Sequence, residues 1–442
     1  MPLSKAASGV IACLLAGSVM AEPAPHFDQP LTLVQLTDLA LANNPSTKIA
    51  WAEIRSSQAG VELARAGYWP QLTLAYGLQR SNTTTASGAT GPYETDYGPS
   101  LSLSYLLWDF GARSGTVDAA KFSLTAAELD ANQTVQDLIL TVEQDYYQVL
   151  GLQALQDADT QNVHDATASL DAANQRKNSG LATIGDVYQA EAALAGAQLS
   201  LQTAEGQLAV ARGQLAVAVG YAADVELPLE SLEKEITTNM PSESVHALLQ
   251  KAAQARPELL AAKAQEQSAV ASLEASQGQG LPSLVLGGSA GRNTTEILGQ
   301  KNTANAYSAG LTLSFPLFSG FANQASNRKA QAAVDVAEAT TQQLIQQVQL
   351  EVWQAYQNMN TAVSTLDTAR VQLKNAQQAE DVANARYKNG LDSILDVLSA
   401  QATLANARVQ EVQARLNWFA ALAAMGHAVG GLDAHKDTME LP

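Results

Sequence analysis

The sequence of 442 residues holds a single cysteine, Cys13, and it lies in an apolar leader. A chain that sheds the leader has no thiol, so disulfides and cysteine catalysis are excluded. Beyond the leader no run reaches the roughly 18 consecutive apolar residues of a membrane helix. Any membrane contact would therefore come through strands or lipid. HExxH, GxSxG and a phosphate-binding loop are all missing. The five histidines, His26, His164, His246, His427 and His435, share no metal-ligand spacing. With no nucleophile, metal cluster or phosphate loop, an enzyme ranks last among the function classes, and no cofactor or metal is expected. Basic residues are also scarce: 25 Lys and Arg against 43 Asp and Glu give a net charge of −18. A nucleic-acid binder needs basic surface, so that class is excluded. The acidic balance reads either as a solvated surface or, more sharply, as an acidic lumen that favours cations.

Aromatics make up only 5% of the chain, although 46% of it is apolar. Much of that apolar share is alanine, which packs helices closely and fills little volume. The composition points to long thin helices rather than one thick core. The leader has Lys5, an apolar stretch Ala6 to Met20 and a small-residue site at Ala21. Residues 1–21 are therefore expected to be a secretory signal. Val10-Ile11-Ala12-Cys13 superficially matches a lipoprotein box. Cleavage there would leave only about seven apolar residues before it, so cleavage after Ala21 is the reading adopted.

Self-comparison is the most informative step. Pro45, Pro70 and Arg80 match Pro257, Pro282 and Arg292 at an offset of 212. Further along the offset is 210: LSLSYLLWDFG parallels LTLSFPLFSGF, and RKNSGLATIGDV (Arg176 to Val187) parallels RYKNGLDSILDV (Arg386 to Val397). Each unit opens with helical runs interrupted before Pro45 or Pro257. A hairpin follows, with strands predicted at about nine to eleven residues, near the length that crosses a bilayer. SNTTTASGATGPYE and NTTEILGQKNTAN are read as its loops. Asn82 and Asn293, which match a glycosylation pattern, are read there as turn residues. Trp69, Trp108, Phe315 and Phe318 flank the hairpins, read either as interfacial anchors or as packing at the strand–helix junctions.

Next come proline-free runs, Gly111 to Lys177 and Phe321 to Lys388, about 100 Å each as helix. Ile345, Val348, Val352, Tyr356, Met359, Val363, Leu366 and Leu373 recur there at steps of three and four, a helix–helix seam. Return helices follow at Ile184 to Val219 and Ser393 to Met425. The expected organisation is a signal at 1–21 and a first unit at 22–220 with its hairpin at about 71–107. A linker at 221–242 leads to a second unit at 243–429 with its hairpin at about 283–316, and 430–442 form a tail. Four strands cannot close a barrel, and an open edge in lipid leaves backbone groups unpaired. A homo-oligomer that pools strands and helices is the economical solution.

The order of elements, the duplication, GYWPQLTL, YLLWDFG, FPLFSGF and RYKNGLDSILDVLSAQATLANAR resemble the TolC-type outer-membrane efflux protein family of Gram-negative bacteria. That resemblance runs from about Leu31 to Gly426. It implies a mixed α and β membrane protein. Its homotrimer would form a twelve-stranded outer-membrane β-barrel, four strands per chain, continued by a long periplasmic α-helical coiled-coil barrel. It also implies a passive export duct, fed by a periplasmic adaptor and an inner-membrane transporter in tripartite efflux or type I secretion. A structural or adhesive helical oligomer of the envelope is the alternative, and it leaves the bilayer-length strands unexplained.

Gly180 and Gly390 stand where each long helix reverses, with Leu181 and Leu391 beside them. Glycine tolerates the positive φ of such a helix end. The exposed tips are the expected adaptor-docking points. Asp186, Asp392 and Asp396 are the candidate acids of the pore constriction. Asp392 reads as a first-turn residue of its return helix, where capping or the dipole accounts for it. Asp396 reads as lying a turn further in, beyond capping, and three copies would form a carboxylate ring. By resemblance, Asp396 lines the closed entrance, while Asp186 and Tyr387 help tie the coils shut. The same resemblance would place an arginine at Asp392 and a second constriction aspartate at Ser399, so closure here rests on other contacts.

Overall fold

The structure, a computed structural model, describes residues 27, 29–84, 86, 88, 90–230 and 243–431. The expected signal with Cys13, the linker residues 231–242 and the tail residues 432–442 lie outside the described residues. Twelve elements follow in order: α1 (Leu33–Asn43), α2 (Pro45–Ala66), β1 (Gln71–Ser81), β2 (Glu94–Trp108), α3 (Ala112–Asn178), α4 (Ile184–Val219), α5 (Val245–Ala255), α6 (Pro257–Gln279), β3 (Ser283–Ile297), β4 (Gln300–Ser314), α7 (Ala322–Lys388) and α8 (Ile394–Ala428).

Local chemistry sets the boundaries. Thr32 and Gln35 form a capping box on α1. The Asn44 side chain accepts from the Ser46 amide at 2.8 Å and caps α2, whose first residue is Pro45. α3 and α7 span 67 residues each without a break. They start after paired left-handed residues, Phe110 and Gly111 before α3, Gly320 and Phe321 before α7. Arg113 pins the first of these junctions. It bonds the Asp109 carboxylate at 3.0 Å and the carbonyls of Gly67 and Leu106 at 3.1 and 2.7 Å.

The strands form one antiparallel sheet in the order β1-β2-β3-β4. Leu72, Leu74, Tyr76 and Leu78 share a face with Leu103, Leu101 and Tyr97 of β2. That apolar face continues through Leu286 to Leu311. The opposite face carries Ser100, Ser102, Ser104, Ser289 and Ser308. The second hairpin corrects the expected strand lengths. β3 and β4 run 15 residues each and turn tightly at Leu298-Gly299, so most of NTTEILGQKNTAN, Asn293 included, is strand and not loop. Leu298 (φ 51°) and Gly299 (φ 81°) are both left-handed, the geometry of a two-residue type I′ turn. A strand that leaves the bilayer loses its need for apolar side chains but keeps its ladder, and polarity alone therefore misplaces its end. β2 is likewise 15 residues long, and only β1, at 11, has the length expected.

α3 pairs with α4, and α7 with α8, as antiparallel helical hairpins. α2 and α6 pack along α3 and α7 in the strand-proximal half, and α3 also meets α8. Where α1 and α5 join, the packing thickens into the main core. Val348, Val352, Met359 and Leu366 are buried there, and Ile345, Tyr356 and Val363 pack against them, as the seam predicted. Tyr147 stacks on Phe419 with ring centroids 4.3 Å apart, and Trp418 meets Phe419 edge-on at 5.0 Å. α3 and α8 approach so closely that a Cβ on Gly151 would lie 2.1 Å from the Leu416 side chain. Leu31 also pairs with the chain after α4, donating to the Pro228 carbonyl at 2.8 Å.

Phe419→Ala is expected to lower stability by about 3–5 kcal/mol, through lost transfer energy and a residual cavity. Denaturant unfolding of the purified protein measures it, and a loss below about 1 kcal/mol would contradict this account of the core.

Candidate functional site at the helix-hairpin tips

At both tips the chain reverses through the same two devices. The first is a Schellman motif. Gly180 N–H donates to Lys177 O (3.0 Å) and Leu181 N–H to Arg176 O (2.8 Å); Gly390 N–H donates to Tyr387 O and Leu391 N–H to Arg386 O, both at 2.9 Å. Gly180 and Gly390 have φ of 76° and 74°, as the sequence predicted. The second is a capping box at the start of each return helix. Asp186 accepts from the Thr183 amide at 2.7 Å and Asp396 from the Ser393 amide at 3.0 Å. Leu181 and Leu391 project between these devices and are about 70% exposed.

Two expectations about the acids are corrected. Asp396 is not beyond capping: it is the third residue of α8, and its carboxylate also accepts from Ser393 Oγ at 2.7 Å. Those bonds, with the nearby Arg386, hold its pKa below the usual carboxylate value. Asp392 is not in the first turn of α8 but precedes the Ser393 cap. There it forms a forked pair with Arg386, Nε to Oδ2 at 2.7 Å and Nη2 to Oδ1 at 2.9 Å.

Tyr387 is buried with Ile394 and Val397 in a small core at its tip. Its phenol has no hydrogen-bond partner among the described residues. Burial pushes its pKa up, the Arg176 charge pulls it down and the Asp186 carboxylate pushes it up again. Asp186 and Tyr387 are thus neighbours electrostatically, but the Asp186 carboxylate is used in its own helix cap. What joins the two tips is Arg176, at the end of α3. Its guanidinium lies 4.5 Å from the centre of the Tyr387 ring, and its Nη1 donates to the Tyr387 carbonyl at 2.5 Å. The candidate acids alone did not reveal this contact. The signal was in the repeat, where Arg176 aligns with Arg386. At the position of Asp392 the first unit has Ala182, so Arg176 lacks the acid that Arg386 pairs with, and it reaches the other hairpin.

Above the tips a polar network crosses between the hairpins. Arg408 bonds Asn162 at 2.6 Å and Asp165 at 3.0 Å, and Gln401 bonds Ser169 at 2.8 Å. Glu380 is buried beside it. Burial raises its pKa most, and Asp165 and Asp381 add to the rise while bonds from Gln401 and Asn384 oppose it. Among the described residues no group of His, Cys, Asp and Glu is arranged to hold a metal.

The profile of the outer membrane efflux protein family matches residues 36–221 and 248–431. The chain belongs to the outer membrane efflux protein family. Within the family it is 30% identical over 411 residues to Protein CyaE of Bordetella pertussis, covering 91% of this chain and 85% of that protein. It is 27% identical over 418 residues to the pyoverdine export outer membrane protein OpmQ of Pseudomonas aeruginosa, covering 90% and 85%. The fold matches the crystal structure of the outer membrane protein VceC from Vibrio cholerae with a TM-score of 0.78, at 24% identity and with 90% and 96% of the two chains covered. This outer membrane efflux protein thus joins a membrane sheet to a long helical body, and the tips lie at the end of that body farthest from the sheet.

Two outcomes are expected from the tip and network chemistry. Gly390→Ala forces a side chain into the left-handed region and is expected to cost about 1–2 kcal/mol. Gly60→Ala, inside α2 and with free space around it, is expected to gain up to about 1 kcal/mol; equal effects in unfolding experiments would contradict the tip geometry. Burial raises the pKa values of Asp145, Asp159 and Glu380. The folded chain therefore holds protons that the unfolded chain has released. Stability from these groups is fully present below the unfolded carboxylate range and falls as pH rises through the raised values. The unfolding midpoint is expected to rise as pH falls from neutrality toward the ordinary carboxylate range, and Glu380→Gln to flatten that rise. An unchanged slope in the variant would remove Glu380 from the effect.

Proposed function

We infer that the chain is one protomer of a trimeric, passive export duct in the outer membrane of a Gram-negative bacterium. The carrying observation is a four-stranded sheet with one apolar and one polar face, fused to two 67-residue helices, in a chain of the outer membrane efflux protein family. Three copies would pool twelve strands into a closed barrel and their helical hairpins into one periplasmic cylinder. The reading assigns no catalysis to the chain. A periplasmic adaptor would dock on the tips around Leu181 and Leu391, and an inner-membrane transporter would supply the energy. CyaE and OpmQ support this reading at the level of secretion and export components. The duplicated units, at 22–220 and 243–429, give the trimer six similar hairpins around its mouth.

In this reading the gate rests on Arg176, Tyr387 and the Arg386–Asp392 pair, with Asp186 and Asp396 as capping residues that also present negative charge. Capping uses Oδ2 of Asp396, which leaves Oδ1 available for a carboxylate ring in the pore.

Purified protein in planar bilayers tests the proposal. Discrete conductance from a species of trimer mass is expected; recovery as a soluble periplasmic monomer would sink the duct. Arg176→Ala removes the contact between the two hairpin tips and is expected to raise the open fraction; an unchanged open fraction would remove that contact from the gate. Asp396→Asn removes charge while keeping an oxygen for the cap, and is expected to lower cation preference. Unchanged selectivity would exclude the ring.

A further inference from the structure

The four strands carry six charged side chains, and all six lie at the end of the sheet remote from the helices. Their distribution between the two faces is not random. Strand register puts Arg80 on the face of Leu78 and Leu74, Arg292 on the face of Ala290 and Leu286, and Lys301 on the face of Tyr307 and Leu311. All three cations thus share the apolar face. Of the three acids only Glu296 joins them, opposite Lys301, with carboxylate and ammonium 3.6 Å apart. Glu94 and Asp96 point to the polar face, where Asp96 accepts from Asn293 at 3.0 Å.

In a barrel the apolar face meets lipid and the polar face lines the lumen. The lipid face is apolar from Leu284 to Ala290 on β3 and from Leu313 to Tyr307 on β4, and the cations begin where it ends. Trp108 and Tyr97 mark the two ends of this belt on β2, about 28 Å apart along the membrane normal for a strand tilted about 40°. The cations also stand among aromatic rings. Arg80 lies 4.7 Å from the centre of the Tyr93 ring, and the Lys301 ammonium 6.0 Å from that of Tyr97. Among the described residues neither Arg80 nor Arg292 forms an ion pair with a carboxylate, in a chain whose net charge is −18. Two unneutralised guanidiniums and a lysine at the rim of a lipid-facing belt form a surface complementary to phosphate. Arginine binds phosphate through a planar fork, and long basic side chains extend from apolar surface to reach a headgroup.

We propose that Arg80, Arg292 and Lys301 bind the phosphorylated headgroups of the outer-leaflet glycolipid, lipopolysaccharide, and fix the height and tilt of the barrel. This rests on the duct reading, which places the remote end of the sheet in the outer leaflet. In the trimer the surface repeats three times around the barrel. Its acidic counterpart, Glu94 and Asp96, is turned to the lumen, where it does not repel the headgroup phosphates.

The test is native mass spectrometry of purified trimers equilibrated with diphosphorylated lipid A or with lipid A stripped of both phosphates. Wild-type protein is expected to retain the phosphorylated form about tenfold better. The R80Q/R292Q/K301Q variant is expected to lose that preference, and the lumen-facing E94Q/D96N variant to keep it. Equal retention of the two lipids by the wild type would overturn the proposal, and so would an undiminished preference in the triple variant. The wild-type comparison needs no substitution, so it stands even if the triple variant fails to fold. Bilayer conductance of the same samples separates the two readings. A conducting wild type without lipid preference overturns the lipid surface alone. A non-conducting wild type counts against the duct, while lipid retention is still read directly.

Discussion

A peptide group in hydrocarbon must find its hydrogen bond within the protein, and the rest of this architecture follows from that demand. The sheet satisfies it internally between β1 and β2, β2 and β3, and β3 and β4. On the outer sides of β1 and β4 it remains unsatisfied within one chain. Adding copies is the solution that needs no new sequence, because the same two edges recur in every protomer. Duplication then has a clear physical use: two hairpins per chain allow a barrel of twelve strands from three copies. In the proposed barrel the serine and glycine residues on the polar face would line the lumen, while leucine and tyrosine on the other face would meet lipid.

The helical body answers a different constraint. A helix 67 residues long has too few apolar side chains to bury one continuous face, and alanine makes up much of what it buries. Volume is concentrated instead where α1 and α5 add leucines and where Tyr147, Trp418 and Phe419 cluster. Below that point the hairpins hold together through small patches, such as Ala173 with Val187 and Ala190, and through hydrogen-bonded polar side chains. This distribution leaves the tip half less strongly packed than the middle. Such a gradient suits a body whose middle must stay fixed while its end moves.

Much of this was legible in the sequence because repetition fixes what pattern leaves open. Helix ends at Asn178 and Lys388, and the reversals at Gly180 and Gly390, were marked by glycine and by their own duplicates. The ends of β3 and β4 were not, because strand polarity tracks the lipid boundary and the hydrogen-bond ladder runs past it. Leu298, a leucine in a left-handed turn position, gave no turn signal. At the tips, the sequence singled out Asp186, Asp392 and Asp396 but not their partners. Asp396 three residues after Ser393 is a capping-box spacing, and the Arg386–Asp392 pair spans a reversal whose geometry no linear spacing reveals. Arg176 was visible only as the mate of Arg386, and its contact with Tyr387 lies 211 residues away in the chain.

That divergence between duplicates carries the mechanism furthest. The two tips share their glycine, their Schellman bonds and their capping box, so the backbone solution is the same. They differ where Ala182 aligns with Asp392 and where Lys177 aligns with Tyr387. With an acid at that position, the second arginine is satisfied within its own hairpin, which becomes a self-contained unit. With alanine there, the first arginine donates through Nη1 to the Tyr387 carbonyl and lies against the Tyr387 ring, while its buried Nε has no partner among the described residues. At the very tip the other hairpin is tied to it through Arg176, by a cation–π contact and a hydrogen bond that a small shift of Tyr387 would break together, below the bonds of Arg408 and Gln401. In the proposed duct such a pair would have two arrangements, joined or parted. That would be the two-state element a gate needs, and it draws on two differences between the repeats, Ala182 for Asp392 and Lys177 for Tyr387.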